Sequence, residues 1–105
     1  MRTIKNIDAQ IEHFIDDNSF PEDQKKQIPT FRQMFKAAVG LSLSKDGEQA
    51  IDLYQLGLKL KISESDINLE DAEFKLLKEK CGENPAKWIG HFHGQVMQKL
   101  KDSEK

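Results

Sequence analysis

Long apolar runs are missing from this 105-residue chain, and cysteine is reduced to a single residue, Cys81. A helix that crosses a bilayer needs about 20 consecutive, mostly apolar residues, so no membrane span is expected. The N-terminus, Met1-Arg2-Thr3-Ile4-Lys5, leads into alternating polar and apolar residues and lacks the apolar core of a secretory signal. Export by that route is therefore not expected. A lone cysteine cannot close an internal disulfide, which fits a reducing, cytoplasmic setting. A basic excess is also missing: 16 Lys and Arg stand against 18 Asp and Glu, for a net charge of −2. Nucleic-acid binders draw much of their affinity from phosphate neutralisation, so the balance argues against nucleic acid as the partner, although a local patch stays open. No Gly-rich phosphate loop occurs, and no serine stands in a nucleophile-elbow pattern.

What is present is the composition of a folded domain. Hydrophobic residues at 37% and charged residues at 32% are too apolar for wholesale disorder and too polar for a membrane protein. One domain over residues 1–105 is expected, with a core that has little to spare.

Punctuation residues divide the chain. From Met1 to about Asp17, Ile4, Ile7, Ile11, Phe14 and Ile15 follow helical spacing, while Ile7, Ala9, Ile11, His13 and Ile15 alternate as a strand would. Both readings stay open. Asp16 to Ser19 reads as a turn, and Ser19 with Glu22 can cap a short helical turn through Gln27. Thr30 and Gln33 have capping-box spacing ahead of the stripe Phe31, Met34, Phe35, Ala38 and Val39, with Gly40 as the stop. A third helix is expected over 47–62, with Asp46 as N-cap and Gln49 three residues on. Its Ala50, Leu53, Tyr54, Gly57 and Leu60 share a face. Ile51, Leu58 and Ile62 carry the apolar surface further around, which predicts a central helix, and Gly57 would permit close approach by a neighbour. Asn68 is the expected cap of the next helix, with Glu70, Asp71 and Glu73 at its positive end and Lys75, Lys78 and Lys80 towards its negative end. Leu69, Ala72, Leu76 and Leu77 should face inward, with Phe74 and Cys81 beside them. Gly82 ends that helix. Asn84 and Pro85 then start the last one as N-cap and first helical residue. Trp88, Ile89, Phe92, Val96 and Leu100 form its apolar face, and 101–105 should fray. The fold class expected is mainly α: a compact bundle of about four helices, with room for a short N-terminal strand or hairpin.

The chemistry-bearing residues are sparse. His91 and His93 point roughly 200° apart on a helix, whereas helical metal pairs use three- or four-residue spacing. A zinc site from these with His13 and Cys81 is a weak reading. Ser65 to Asp71 resembles half of a calcium loop only faintly: an EF-hand register would open at Leu60, put Ser65 where glycine belongs and close at Asp71. Cys81 lies near a helix C-terminus, where the dipole disfavours a thiolate, so a buried structural role fits best. No catalytic, cofactor or metal residue is assigned, and no enzyme is expected. The last helix is the most informative element. Ala86, Gly90 and Gly94 recur every four residues beside Trp88, His91 and Phe92. That pattern serves either internal packing or a partner or self-association surface.

Three stretches carry a family resemblance: Asp52 to Leu60 (DLYQLGLKL), Ile67 to Lys78 (INLEDAEFKLLK) and Gly94-Gln95-Val96, joined upstream by Thr30 to Phe35 (TFRQMF). The stretches are spread from Thr30 to Val96, a region of more than half of the chain. It resembles a group of small phage and prophage proteins of unassigned function. The resemblance implies a viral or prophage origin and the host cytoplasm, and it brings no catalytic residue with it. The function expected is a non-enzymatic one: binding a phage or host protein in a regulatory or assembly role, with a homodimer through the last helix. A nucleic-acid-binding or transcription-modulating protein is the alternative.

Overall fold

In the computed structural model, residues 1–12 and 28–104 are described. The turn at Asp16 to Ser19, the capped turn from Ser19 to Gln27, and His13, Phe14 and Ile15 lie outside the described residues. Six elements follow in order: β1 (Arg2–Ile4), α1 (Phe31–Leu41), α2 (Gly47–Ile62), β2 (Ile67–Leu69), α3 (Asp71–Glu83) and α4 (Gly90–Asp102). The protein is mainly α, as the patterning predicts.

Strand forms only over Arg2–Ile4, ahead of the alternating Ile7, Ala9 and Ile11, which lie in turn and irregular backbone, so neither periodicity describes the segment. β1 pairs antiparallel with β2, Arg2 opposite Leu69 and Ile4 opposite Ile67. Its partner thus comes from the connection between α2 and α3 and not from a local turn. Beyond β1 the chain continues as extended segment and turn. Ile7 N–H donates to the Ser65 carbonyl at 2.8 Å, Arg32 N–H to Ile7 at 2.7 Å, and Ile11 N–H to Pro29 at 3.1 Å. Ile4, Ile7 and Ile11 are buried by this path.

α1 begins where its capping box dictates. Thr30 Oγ1 accepts the Gln33 N–H at 3.2 Å, and Gln33 Oε1 accepts the Thr30 N–H at 2.9 Å. Met34, Phe35, Ala38 and Val39 form its buried face. Gly40 does not stop the helix; it stays helical, and Ser42 closes it with its hydroxyl on the Ala38 carbonyl at 2.5 Å. α2 starts at Asp46, whose carboxylate accepts the Gln49 N–H at 2.8 Å. It buries Leu53, Leu56 and Leu60 alone. The expectation of a central helix is overturned, because its second apolar side faces solvent.

Three boundaries move from their expected places. Ile67–Leu69 is strand, so Asn68 is no helix cap; its side chain meets Thr3 Oγ1 at 2.5 Å across the ribbon. Glu70 caps α3 in its place, and Glu73 Oε1 accepts the Glu70 N–H at 2.8 Å. Its inward face also differs from the one expected: Phe74, Leu77, Lys80 and Cys81 are buried, Leu76 is half-buried and Ala72 is exposed. α3 runs past Gly82 to Glu83 and ends at Asn84 in the left-handed region, φ 52°. Asn84 and Pro85 therefore close one helix instead of opening the next. α4 begins only at Gly90, after a connection in which Lys87 is also left-handed at φ 56°. Asn84 holds that connection: its Oδ1 accepts the Trp88 N–H at 2.8 Å and its Nδ2 donates to the Trp88 carbonyl at 3.1 Å. The end of the chain, expected to fray, is tied down through residue 104. Arg2 Nη1 donates to the Glu104 carbonyl at 2.6 Å, and Lys78 pairs with the Glu104 carboxylate.

The core joins all six elements, from Ile4, Phe35, Leu56 and Leu60 to Leu69, Leu77, Val96 and Leu100. Among the described residues, no helix is long and apolar enough to cross a membrane.

Candidate functional site

The side chains that carry charge into the interior are already engaged. Arg32, at the start of α1, uses all five guanidinium N–H groups. Nε and Nη2 take the Asp8 carboxylate at 2.7 and 3.1 Å, Nη1 takes the Leu60 carbonyl at 2.6 Å and Ser63 Oγ at 3.0 Å, and Nη2 also takes the Glu64 carbonyl at 3.1 Å. Ser65 Oγ adds a bond to Asp8 at 2.8 Å. These hydrogen bonds, Arg32 first and Ser65 second, hold the Asp8 carboxyl down to about 2. This cluster fastens the N-terminal segment to the C-terminal end of α2, where a cation also meets the negative end of the helix dipole. Lys80 is buried in a similar role, its Nζ donating to the Leu43 carbonyl at 3.1 Å and so pinning the α1–α2 connection to α3.

Cys81 is buried, as expected, and burial pushes its thiol up to about 12. A nucleophilic thiolate does not form in that setting. The structure brings Cys81 and His93 together through the backbone: His93 Nε2 lies 2.8 Å from the Cys81 carbonyl oxygen. The rings of His93 and Trp88 stand 5.9 Å apart. Among the described residues, no group of His, Cys, Asp or Glu is placed to hold a metal ion.

The surface expected on the last helix is rearranged by the late start of α4. Ala86 lies in the preceding connection, so the four-residue recurrence of Ala86, Gly90 and Gly94 does not form one helical stripe. Gly90 opens α4 and Gly94 sits within it, and a Cβ added at either would meet nothing within 4 Å. Trp88 and Phe92 are half-buried and pack against the core. The His91 ring meets Phe92 edge-on at 4.5 Å between centroids. One turn further on, Gln95 grips the backbone of Glu12, accepting its N–H and donating to its carbonyl, each at 2.7 Å. This part of α4 thus receives the chain's own N-terminal segment.

Ile89, expected on the apolar face of the last helix, is its N-cap and is exposed; apart from it and Met1, the exposed large apolar side chains among the described residues lie on and beside α2. Ile51, Tyr54, Leu58 and Ile62 are 58, 68, 42 and 79% exposed. Tyr54 and Leu58 form one wall of an open groove of 390 Å³ between α1 and α2. Its floor is made by Val39, Leu53, Ala50 and Gly57, and Lys36 and Lys61 stand on its rim with no acidic residue among its lining. Leu41, the last residue of α1, and Leu43, in the connection to α2, are 60 and 87% exposed. Gly57 does allow α1 close, but not so close that only glycine fits: an added Cβ would sit 3.6 Å from Val39 Cγ1, an ordinary contact. Scattered apolar residues are normal on a protein surface, whereas a contiguous patch beside a concave floor marks a contact site.

A second cleft of 410 Å³ lies between α2 and α3, lined by Asp46, Glu48, Asp52, Glu73 and Glu79 with Lys45 and Lys75. Lys59 and Glu73 pair near it at 2.8 Å.

No protein family, curated protein or solved structure matches this chain.

The sequence signal for the α2 surface was present in Ile51, Leu58 and Ile62. They lie about half a turn round from Leu53 on the 3.6-residue period. A helix with apolar residues on two opposed sides either has neighbours on both or exposes one, and only tertiary placement separates the two cases. For the Arg32 cluster there was no signal, since Asp8, Arg32 and Ser65 are joined only by the fold.

Proposed function

We propose that this chain is a small non-enzymatic phage or prophage protein that acts by binding another protein, in a regulatory or assembly role. The observation that carries the proposal is the groove between α1 and α2. It has an apolar floor, an exposed aromatic and aliphatic wall in Tyr54 and Leu58, and a lysine rim. Apolar grooves flanked by charge suit a helix or loop of a partner, with aromatic side chains as the usual anchors. The resemblance of Thr30 to Phe35, Asp52 to Leu60 and Ile67 to Lys78 to phage proteins supports the viral setting and the host cytoplasm as the place of action.

The test is affinity capture from infected cells with the full chain and with a Lys36→Glu/Ala50→Glu variant. Both positions are exposed and line the groove, so circular dichroism should be unchanged. The wild-type chain is expected to retain a defined protein in near-stoichiometric amount, and the variant to lose it. Equal retention by both would remove the groove from the proposal. Retention of nothing by either, with nucleic acid retained at low salt, would favour the nucleic-acid reading.

A further inference from the structure

We infer that the solvent-facing side of α2 is a self-association surface, on which α2 of a second copy of this chain packs antiparallel. The inference stands on the arrangement of apolar and charged residues along the helix and goes beyond the proposed function.

Read in sevens, α2 places Ile51 and Leu58 at one central position of a helix-pairing seam, and Glu48, Gln55 and Ile62 at the other. This seam lies opposite the buried face of Leu53, Leu56 and Leu60. Its three apolar members are 58, 42 and 79% exposed, so Ile51 and Ile62 above all are open to a partner helix. Asp52 and Lys59 lie along one flank, Tyr54 and Lys61 along the other.

The charges are segregated: Glu48 and Asp52 occupy the N-terminal half of α2, Lys59 and Lys61 the C-terminal half. A two-fold axis across the helix maps each flank onto itself in reverse. Asp52 then faces the partner's Lys59, and Lys59 faces the partner's Asp52. On the other flank Tyr54 meets the partner's Lys61, a ring and a cation. Gln55 falls beside the axis, opposite the partner's Leu58. A parallel pair would still set a cation against a ring, Lys59 on the partner's Tyr54, but would leave Asp52 opposite Gly47, so only the antiparallel pair makes the two Asp52–Lys59 ion pairs. Lys59 already donates to Glu73 of its own chain at 2.8 Å, and an ammonium has further N–H groups for a second carboxylate.

Sedimentation equilibrium of the full chain over a range of concentrations tests this. The apparent mass should rise from one chain towards two. An Ile51→Lys/Ile62→Lys variant should stay at one chain, with unchanged circular dichroism because neither side chain is buried. Asp52→Lys and Lys59→Asp alone should each weaken association by roughly tenfold, since each removes two exposed ion pairs. An equimolar mixture of those two variants should recover it, because antiparallel pairing sets each new charge against its opposite. A wild-type chain that stays at one-chain mass throughout overturns the inference. So does unchanged association of the Ile51→Lys/Ile62→Lys variant, or a mixture no stronger than its components. Tyr54, Leu58 and Lys61 also line the α1–α2 groove, so the two surfaces overlap, and partner capture is scored with the Lys36→Glu/Ala50→Glu variant, whose positions lie outside the α2 seam and its flanks. A monomeric chain that still captures its partner refutes self-association and leaves the proposed function standing.

Discussion

Asp8 and Lys87 show how single residues depart from their ordinary behaviour here. The unfolded chain carries Asp8 at its ordinary 3.8, while the folded chain holds it at about 2 through Arg32 and Ser65. Between those two values the unfolded state binds more protons, so folding stability falls as the pH drops through that window and is fully present above it. Urea midpoints measured from neutral pH down to about pH 2 should therefore show a decline that Asp8→Asn reduces. Lys87 holds a left-handed backbone in the turn where its N–H donates to the Asn84 carbonyl at 3.0 Å. Its φ of 56° brings a Cβ close to the following carbonyl, at a cost of about 1–2 kcal/mol that glycine avoids. Glycine also loses more backbone freedom on folding, which offsets part of the gain. Lys87→Gly should accordingly raise stability by about 0.5–1 kcal/mol, read as a shift in thermal midpoint.

Elements with local signals were legible, and those that depend on distant partners were not. Thr30 with Gln33 and Asp46 with Gln49 set two helix starts, because a cap is a bond across three residues that any chain of that sequence can form. Asn68 and Asn84 carry the same cap preference yet serve otherwise. Asn68 is drawn into a three-residue strand by β1, more than sixty positions away. Asn84 takes the left-handed conformation that asparagine tolerates and uses its side chain on Trp88. Gly57 makes the point for packing. It reads as a contact glycine, yet the 3.6 Å to Val39 leaves space for a methyl group. Gly57→Ala should stabilise the protein by up to about 1 kcal/mol in denaturant unfolding, from helix propensity.

On the scale of the whole molecule, the N-terminal segment is the tie that makes the four described helices one unit. Ile4 and Ile7 are fully buried, and backbone bonds join 7–11 to both the start of α1 and the loop after α2. Removing side-chain volume there leaves a cavity between elements that cannot all move to fill it. Ile4→Ala should cost about 2–4 kcal/mol in urea unfolding. Its loss should appear as a single cooperative transition, because the core is continuous from β1 to α4.

Taken alone, the sequence determined what local physics can decide: a mainly helical domain, the positions of the first two helices, a buried Cys81 and a balance of charge. Helix periodicity and caps act over a few residues, so they survive without knowledge of the rest. The tertiary structure decided which apolar side of α2 is covered. It also decided that Asn84 ends a helix, that the Ala86, Gly90 and Gly94 recurrence is broken, and that Arg32 is the clasp of the fold. Each of those outcomes depends on groups far apart in the chain competing for the same buried space and the same hydrogen bonds, and only assembly settles that competition.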